Sequence, residues 1–214
     1  MKTVERRSGF GYDPNRLIIS WARRMAEYKN LNILFEDLDR LYSILSKSDK
    51  PMMLLVAGKA HPGDNAAKEH IQKTIKSFAG KLSGFAIFVP NYDIALARAM
   101  VQGSDLWLNT PEFGREACGT SGMKAIANGV LNATVADGWA AEVDWQDKGW
   151  VIDHTRIGNS IYELLENEIG PEFYERNQDD MPTKWISKMK NSINLSKNYS
   201  TSRMLEEYSS LLYV

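Results

Sequence analysis

The chain has 214 residues, 43% hydrophobic and 25% charged, enough for one sizeable core in an ordinary globular protein. Its 26 Lys and Arg nearly balance 27 Asp and Glu, for a formal charge of −1, so a global basic field for nucleic acid or anionic lipid is excluded. One cysteine excludes an intramolecular disulfide and argues against a structural zinc site. Apolar runs such as 51–57 are too short to cross a bilayer, and the first 15 residues lack the hydrophobic segment of a secretory leader. A soluble, cytoplasmic protein with no membrane or nucleic-acid partner is expected.

Short apolar runs alternate with amphipathic segments. After the turn residues Asp13, Pro14 and Asn15, positions 16–22 predict a buried strand. Leu34, Leu38, Leu41 and Leu45 recur at helical spacing, with Asn30 or Asn32 as the cap. Residues 52–57 predict a strand buried on both faces, because polarity does not alternate there. Pro62 opens a helix carrying Ala67, Ile71, Ile75, Phe78 and Leu82 on one side. A strand at 85–89, a helix at 92–101, a strand at 105–108, a helix at 120–128 and a strand at 130–136 follow. Helices are predicted at 157–168, 171–176, 182–192 and 201–212.

Strands separated by helices imply right-handed crossovers: an α/β, Rossmann-like parallel sheet with helices on both faces, plus C-terminal helices. One domain over 1–179 is expected, with a flexible joint at 177–180 and appended helices over 180–214.

In such a sheet, ligands gather beyond the carboxyl ends of the strands. Two of those loops are chemically unusual. After Trp21, the cations Arg23, Arg24 and Lys29 fall within seven residues, close to an expected helix start where positive charge is unfavourable unless an anion binds. A phosphate suits them, because Arg offers a fork of donors and Lys a point charge. A solvated basic turn neutralised by Glu27 is the competing reading. The second loop, 112–124, carries three glycines and leads into a helix. Gly119, Thr120 and Ser121 would present N–H groups and hydroxyls to an anion, with Lys124 on the same face as Thr120 and with Met123, Ile126 and Ala127 turned to the core. An amine beside a phosphate cradle is what pyridoxal phosphate requires.

At these residues a family resemblance becomes specific. The run Arg23-Arg24-Met25-Ala26-Glu27-Tyr28-Lys29 resembles the phosphate-binding motif of the α-glucan phosphorylases, which act on glycogen, starch and maltodextrin. The run Glu116-Ala117-Cys118-Gly119-Thr120-Ser121-Gly122-Met123-Lys124 resembles their pyridoxal-phosphate motif. Ala57-Gly58-Lys59-Ala60-His61-Pro62-Gly63, Val89-Pro90-Asn91-Tyr92-Asp93, Asn128-Gly129 and Ala136-Asp137-Gly138 match between and after them, in register from about 8 to about 150. Gly138-Trp139 and the Ser-Gly before Met123 resemble the shorter bacterial branch.

The resemblance implies pyridoxal 5'-phosphate on Lys124, with its phosphate held by Thr120, Ser121, Arg23 and Lys29. It implies substrate phosphate on Arg24 and Lys29, Tyr28 and Tyr92 lining the pocket, and glucose hydroxyls on Glu116, Cys118 and Gly119. The family's reaction is reversible phosphorolysis of α-1,4-glucans by inorganic phosphate to α-glucose 1-phosphate, with retention. A wall of fixed cations fits two phosphoryl groups pressed together. The family's enzymes are much longer, with two α/β domains in the GT-B architecture. This chain resembles the C-terminal one, so a missing N-terminal domain is an expected partner and the isolated chain is expected not to turn over. Whether like chains associate is left open.

Three positions depart from the long enzymes. Asp93 stands where they carry Arg, Arg23 where they carry Lys, and Cys118 where they carry Ser. A small buried apolar residue is the competing reading of Cys118. Two other functions remain: a nucleotide-sugar glycosyltransferase of the glycogen-synthase kind, disfavoured by Lys at 124 where a Glu is required, and a noncatalytic relic. His61, His70 and His154 are too dispersed for a metal site, with His70 read as a surface residue. Trp139, Trp145 and Trp150 read as packing before sugar stacking, and the lysines of 184–197 as a solvated helix face.

Overall fold

The computed structural model describes residues 2–11 and 13–213. Among them, six parallel strands form one sheet: β1 Leu17–Ala22, β2 Met52–Ala57, β3 Ala86–Val89, β4 Leu106–Asn109, β5 Leu131–Val135 and β6 Gly149–Ile152. The order is β3-β2-β1-β4-β5-β6, the doubly wound arrangement, reversing direction between β1 and β4.

The expected uniform burial of the strands resolves into two packed faces. Leu17, Ile19 and Trp21 join Leu54, Val56 and Leu108 in one core, while Ile18 and Ala22 join Met53, Leu55 and Trp107 in the other. Helices α2 (Leu38–Leu45), α3 (Asn65–Ala79) and α6 (Ile157–Leu164) cover the first face through Leu41, Phe78 and Ile161. Helices α1 (Lys2–Ser8), α4 (Ile94–Gly103) and α5 (Thr120–Ala127) cover the second through Val4, Leu96 and Ala125. Both α1 and β6 go unannounced by the sequence. The first has one buried apolar residue, Val4, and the second is a four-residue edge strand burying only Trp150 and Ile152.

Aspartates set the helix starts. Asp37, Asp64 and Asp93 accept the N–H groups of Arg40, Ala67 and Leu96 at the starts of α2, α3 and α4. The predicted cap at Asn30 or Asn32 is thereby corrected. Asn30 instead adopts a left-handed conformation between the 3-10 turns Glu27–Lys29 and Leu31–Phe35, and α2 starts only after Asp37. The basic turn therefore leads into 3-10 turns rather than directly into an α-helix, and its charges do not sit at the start of α2. Two further details differ. Ile75 is exposed on α3, and Leu82 is buried beyond that helix's end.

Residues 157–174 run as one helical stretch, α6, a π turn Leu165–Ile169 and α7 (Gly170–Tyr174), rather than two separate helices. The 177–180 segment is a hydrogen-bonded turn in which Asn177 Oδ1 accepts from Asp179 N and Met181 N. Beyond it, α8 (Thr183–Ser196) buries Trp185 in the first core, whereas α9 (Thr201–Leu211) has no buried residue. The lysines of α8 are not uniformly solvated. Lys188 is packed over Trp150 at 3.9 Å from the ring centre and bonds Glu172 at 2.7 Å, which corrects that expectation.

At the amino edge of the sheet, Asp105 accepts the N–H of Ile18 at 2.8 Å. Burial pushes its carboxyl from 3.8 up to about 6 against the pull of that bond. The folded chain thus holds a proton between pH 4 and 6 that the unfolded chain has already released. This contribution to stability is full below pH 4 and is lost as pH rises through 6, a difference of about 3 kcal/mol. Asp105→Asn keeps an acceptor for Ile18. In urea unfolding it should gain about that amount at pH 8 and little at pH 4.

Candidate active site

The crevice forms where the sheet reverses direction. After β1 the chain leaves toward β2, and after β4 it leaves toward β5, so the two connecting loops open side by side at the carboxyl edge. The basic turn and the glycine-rich loop are these two loops.

The first is held from below. Met25 N donates to Lys59 O at 3.0 Å, Arg23 N donates to Ala57 O at 3.2 Å, and Met25 bridges Ala60. Gly58 makes this approach feasible, because a Cβ there would lie 2.4 Å from the carbonyl oxygen of Arg23. The matched segment at 57–63 therefore serves as a floor for the cations.

Arg23, Lys29 and Glu116 are 7%, 7% and 8% exposed and form a buried charged cluster. Arg23 donates to Leu108 O at 2.6 Å and to Asn109 Oδ1, so both terminal nitrogens are committed to the end of β4. Asn109 in turn donates to Thr134 Oγ1 at 3.0 Å on β5. Arg23 Nε is buried with no partner. Burial lowers this guanidinium to about 10, with Glu116, Tyr92 and Tyr28 pulling it back, so it stays charged at neutral pH. Tyr92 donates to Ala22 O at 3.5 Å, and its hydroxyl is raised by burial against the opposing charge of Arg23. Lys29 is ion-paired with Glu116 and lies 4.6 Å from the ring centre of Tyr28. Thr110 donates to Lys29 O at 2.9 Å and Glu112 N to Tyr28 O at 2.7 Å. The structure thus brings together Arg23, Tyr28, Lys29, Tyr92 and Glu116.

Arg24 differs from its neighbour. It is exposed, and no ion pair or side-chain hydrogen bond engages it among the described residues. Of the three cations it is the one left open to a solvent-borne anion.

The second loop is fixed by Asp137. Its Oδ2 accepts from Arg115 N at 3.1 Å and Glu116 N at 2.9 Å, and its Oδ1 accepts from Gly138 N. Gly138, at φ +55°, lies so close that a Cβ would sit 2.5 Å from Cys118 O. Trp139 N then bonds that same oxygen at 3.1 Å. Gly119 is left-handed at φ +83° and caps α5 without a side chain, unlike the aspartate-capped α2, α3 and α4. Uncapped N–H groups at Thr120 and Ser121 are suited to an anion.

Thr120 and Lys124 are both exposed, as their shared helical face predicted. Ile126 is buried and Met123 packs against the cluster that holds Trp139 and Trp145, but Ala127 is exposed and Ala125 takes its expected place in the core. Ser121 Oγ accepts from Trp107 Nε1 at 3.4 Å. Among the described residues no hydrogen bond or ion pair joins the side chain of Lys124 or Thr120 to the basic turn. Cys118 is exposed, which overturns the small-buried-residue reading.

Trp139, Trp145 and Trp150 are 4–6% exposed and belong to the core, so they offer no sugar platform. Among the described residues no three His, Cys, Asp or Glu side chains gather to hold a metal, and no helix is long and apolar enough to cross a membrane. His70 is partly buried rather than fully at the surface, and His61 Nδ1 accepts from Gly63 N at 3.1 Å. Asp93, besides capping α4, pairs with Arg7 at 2.8 Å, which holds its carboxyl below the usual range. Sequence reasoning missed Asn109, Thr110 and the clamp by Asp137. Only Asp137 carried a signal, its place in the matched Ala136-Asp137-Gly138 run.

A doubly wound sheet with fixed cations and an uncapped helix start at its switch point defines an α/β domain whose crevice has the chemistry to suit an anion. A family profile, "Carbohydrate phosphorylase", matches residues 1–150. The chain is 42% identical to a glycogen phosphorylase of Aquifex aeolicus over 96% of its own length and 31% of the relative's. It is 42% identical to a maltodextrin phosphorylase of Thermococcus litoralis over 94% and 25%, and 38% identical to a Mycobacterium tuberculosis glycogen phosphorylase over 92% and 24%. The chain belongs to the carbohydrate phosphorylase family. It spans a quarter to a third of the length of these relatives, and the likeness continues past residue 150 into the C-terminal helices.

Removing one partner of a buried ion pair strands the other charge, at about 3–5 kcal/mol. Lys29→Met should therefore destabilise the chain by that order in urea unfolding. Adding Glu116→Gln should restore most of the loss. Gly138→Ala, forced against Cys118 O at positive φ, should cost about 1–3 kcal/mol by the same measurement.

Proposed function

We propose that this chain is the pyridoxal-phosphate- and phosphate-binding part of an α-glucan phosphorylase, a glycosyltransferase that converts α-1,4-glucan and inorganic phosphate to α-glucose 1-phosphate with retention. The observation that carries the reading is the meeting of the loops after β1 and β4, with Lys29 against Glu116 and Arg24 open beside them. Family membership and the named phosphorylase relatives support phosphorolysis over nucleotide-sugar transfer.

The residues fit the cofactor. Lys124 is an exposed primary amine, the start of α5 has no side-chain cap, and Arg23 has a buried Nε without a partner. Lys124 would hold pyridoxal phosphate covalently, and Thr120, Ser121, Arg23 and Lys29 would take its phosphate. When bound, the cofactor supplies a phosphoryl group against which inorganic phosphate is held and made to act as acid and then nucleophile.

The chain's own groups do the rest. Arg24 offers a two-pronged donor to the substrate phosphate, and Lys29 offers a point charge. Glu116, with Cys118 and Gly119, would orient glucose hydroxyls, while Tyr28 and Tyr92 wall the pocket. The buried Arg23–Asn109–Thr134 chain fixes positive charge before substrate arrives, so little reorganisation is needed as charge develops. Residues 1–179 would form this unit, 180–214 the helices appended to it, and the rest of a full-length phosphorylase would complete the glucan cleft in the cytoplasm. The chain alone would not turn over.

Incubation with pyridoxal phosphate, borohydride reduction and peptide mapping should place the adduct on Lys124. An adduct on another lysine, or none while Arg24 and Lys29 are intact, overturns the site. Glucose 1-phosphate release should require a separately supplied N-terminal part of a relative, and full activity from this chain alone would refute the half-enzyme reading.

A further inference from the structure

Two aromatic side chains from different loops meet at the carboxyl edge of the sheet. Phe113, in the loop after β4, and His154, in the loop after β6, stack with ring centres 4.2 Å apart and planes inclined by 23°. Phe113 is 54% exposed and His154 is also exposed. A single exposed aromatic needs no explanation. Here both loops are tied down. On one side Glu112 N donates to Tyr28 O, and Asp137 clamps Arg115 N and Glu116 N. On the other, Asp153 N donates to Ser160 Oγ at 3.0 Å, and Asp153 Oδ1 accepts from Thr155 N at 2.9 Å and Thr155 Oγ1 at 2.8 Å. Both loops are thus held by hydrogen bonds next to the stack before any ligand arrives, so a ligand seated on it costs little additional loop entropy.

We propose that the Phe113–His154 stack is a sugar subsite that takes one pyranose ring of a malto-oligosaccharide by its C–H face. A pyranose presents an apolar face edged by hydroxyls. The stack presents an apolar ring flanked in sequence by Glu112 and Arg115, exposed and paired with each other at 3.2 Å through one atom each, which offer a further acceptor and further donors for such an edge. It also stands three residues from Glu116, in the same clamped loop. The three buried tryptophans are closed to this role. The identity of the sugar as an α-1,4-glucan rests on the phosphorylase reading, and the position of the subsite rests on the stack.

The test is affinity electrophoresis of the full 214-residue chain through gels containing soluble starch, with maltoheptaose titrated as competitor. The parent chain should be retarded. Phe113→Ala and His154→Ala should each weaken retention by about three- to tenfold, the range an aromatic contact supplies. Phe113→Tyr should retain it, which separates a platform from a merely structural ring. Equal retention of the parent and both alanine variants, loss in Phe113→Tyr, or no retention of the parent would each overturn the subsite. The cofactor reading fails separately. An adduct on Lys124 without starch retention removes the subsite alone, whereas retention without an adduct upholds the subsite and counts against the cofactor assignment.

Discussion

The contact between Lys29 and Glu116 joins two loops 87 residues apart, and the arrangement of the crevice depends on it. Each residue is nearly inaccessible to water, so each needs the other: an unpaired charge at that depth costs several kcal/mol. The constraint runs in both directions. It fixes the basic turn against the glycine-rich loop, and it keeps a carboxylate and an ammonium in the crevice where an uncharged pair would be easier to bury. A chain selected for stability alone has little reason to place both there.

Supporting contacts keep that pair in register. Gly58 and Gly138 occupy points where any side chain would meet a carbonyl, at 2.4 Å and 2.5 Å, so each lets one loop settle onto its floor. Asp137 gathers three backbone N–H groups and turns the second loop back over β4. Arg23 and Asn109 carry the same order across the strand ends to Thr134. Positioning is thus achieved by backbone and amide groups, which lose little entropy when a ligand binds, while Arg24 and Lys124 face solvent.

Much of the architecture was legible in the chain. The unbroken apolar run 52–57 between Pro51 and Gly58, with no alternation of polarity, marks a strand buried on both faces, and the spacing of Leu41 and Leu45 or Ala67 and Phe78 declares a helix face. The edge strand β6 and helix α1 escaped because each buries only one or two apolar side chains, too few for a period to emerge. The cap of α2 was misplaced because two asparagines lay closer to the apolar pattern, and the intervening 3-10 turns leave no periodic trace. Cys118 was ambiguous by composition, and only its position on an exposed loop decides it.

For the site, sequence determined the inventory and tertiary structure determined the assignments. The spacing of Arg23, Arg24 and Lys29, and of Glu116 through Lys124, sufficed to identify the family's motifs, because those motifs are local and fold as continuous loops. Which cation is buried and which is free was not written there. Adjacent arginines alternate in direction at a strand end, so Arg23 turns under β4 and Arg24 turns out. Nor could the sequence announce that Lys29 meets Glu116 or that Phe113 meets His154, since each partnership arises only when separate strands of the sheet bring their ends together. A linear pattern records what one segment can do. Long-range packing chooses which of its groups face water and which face one another.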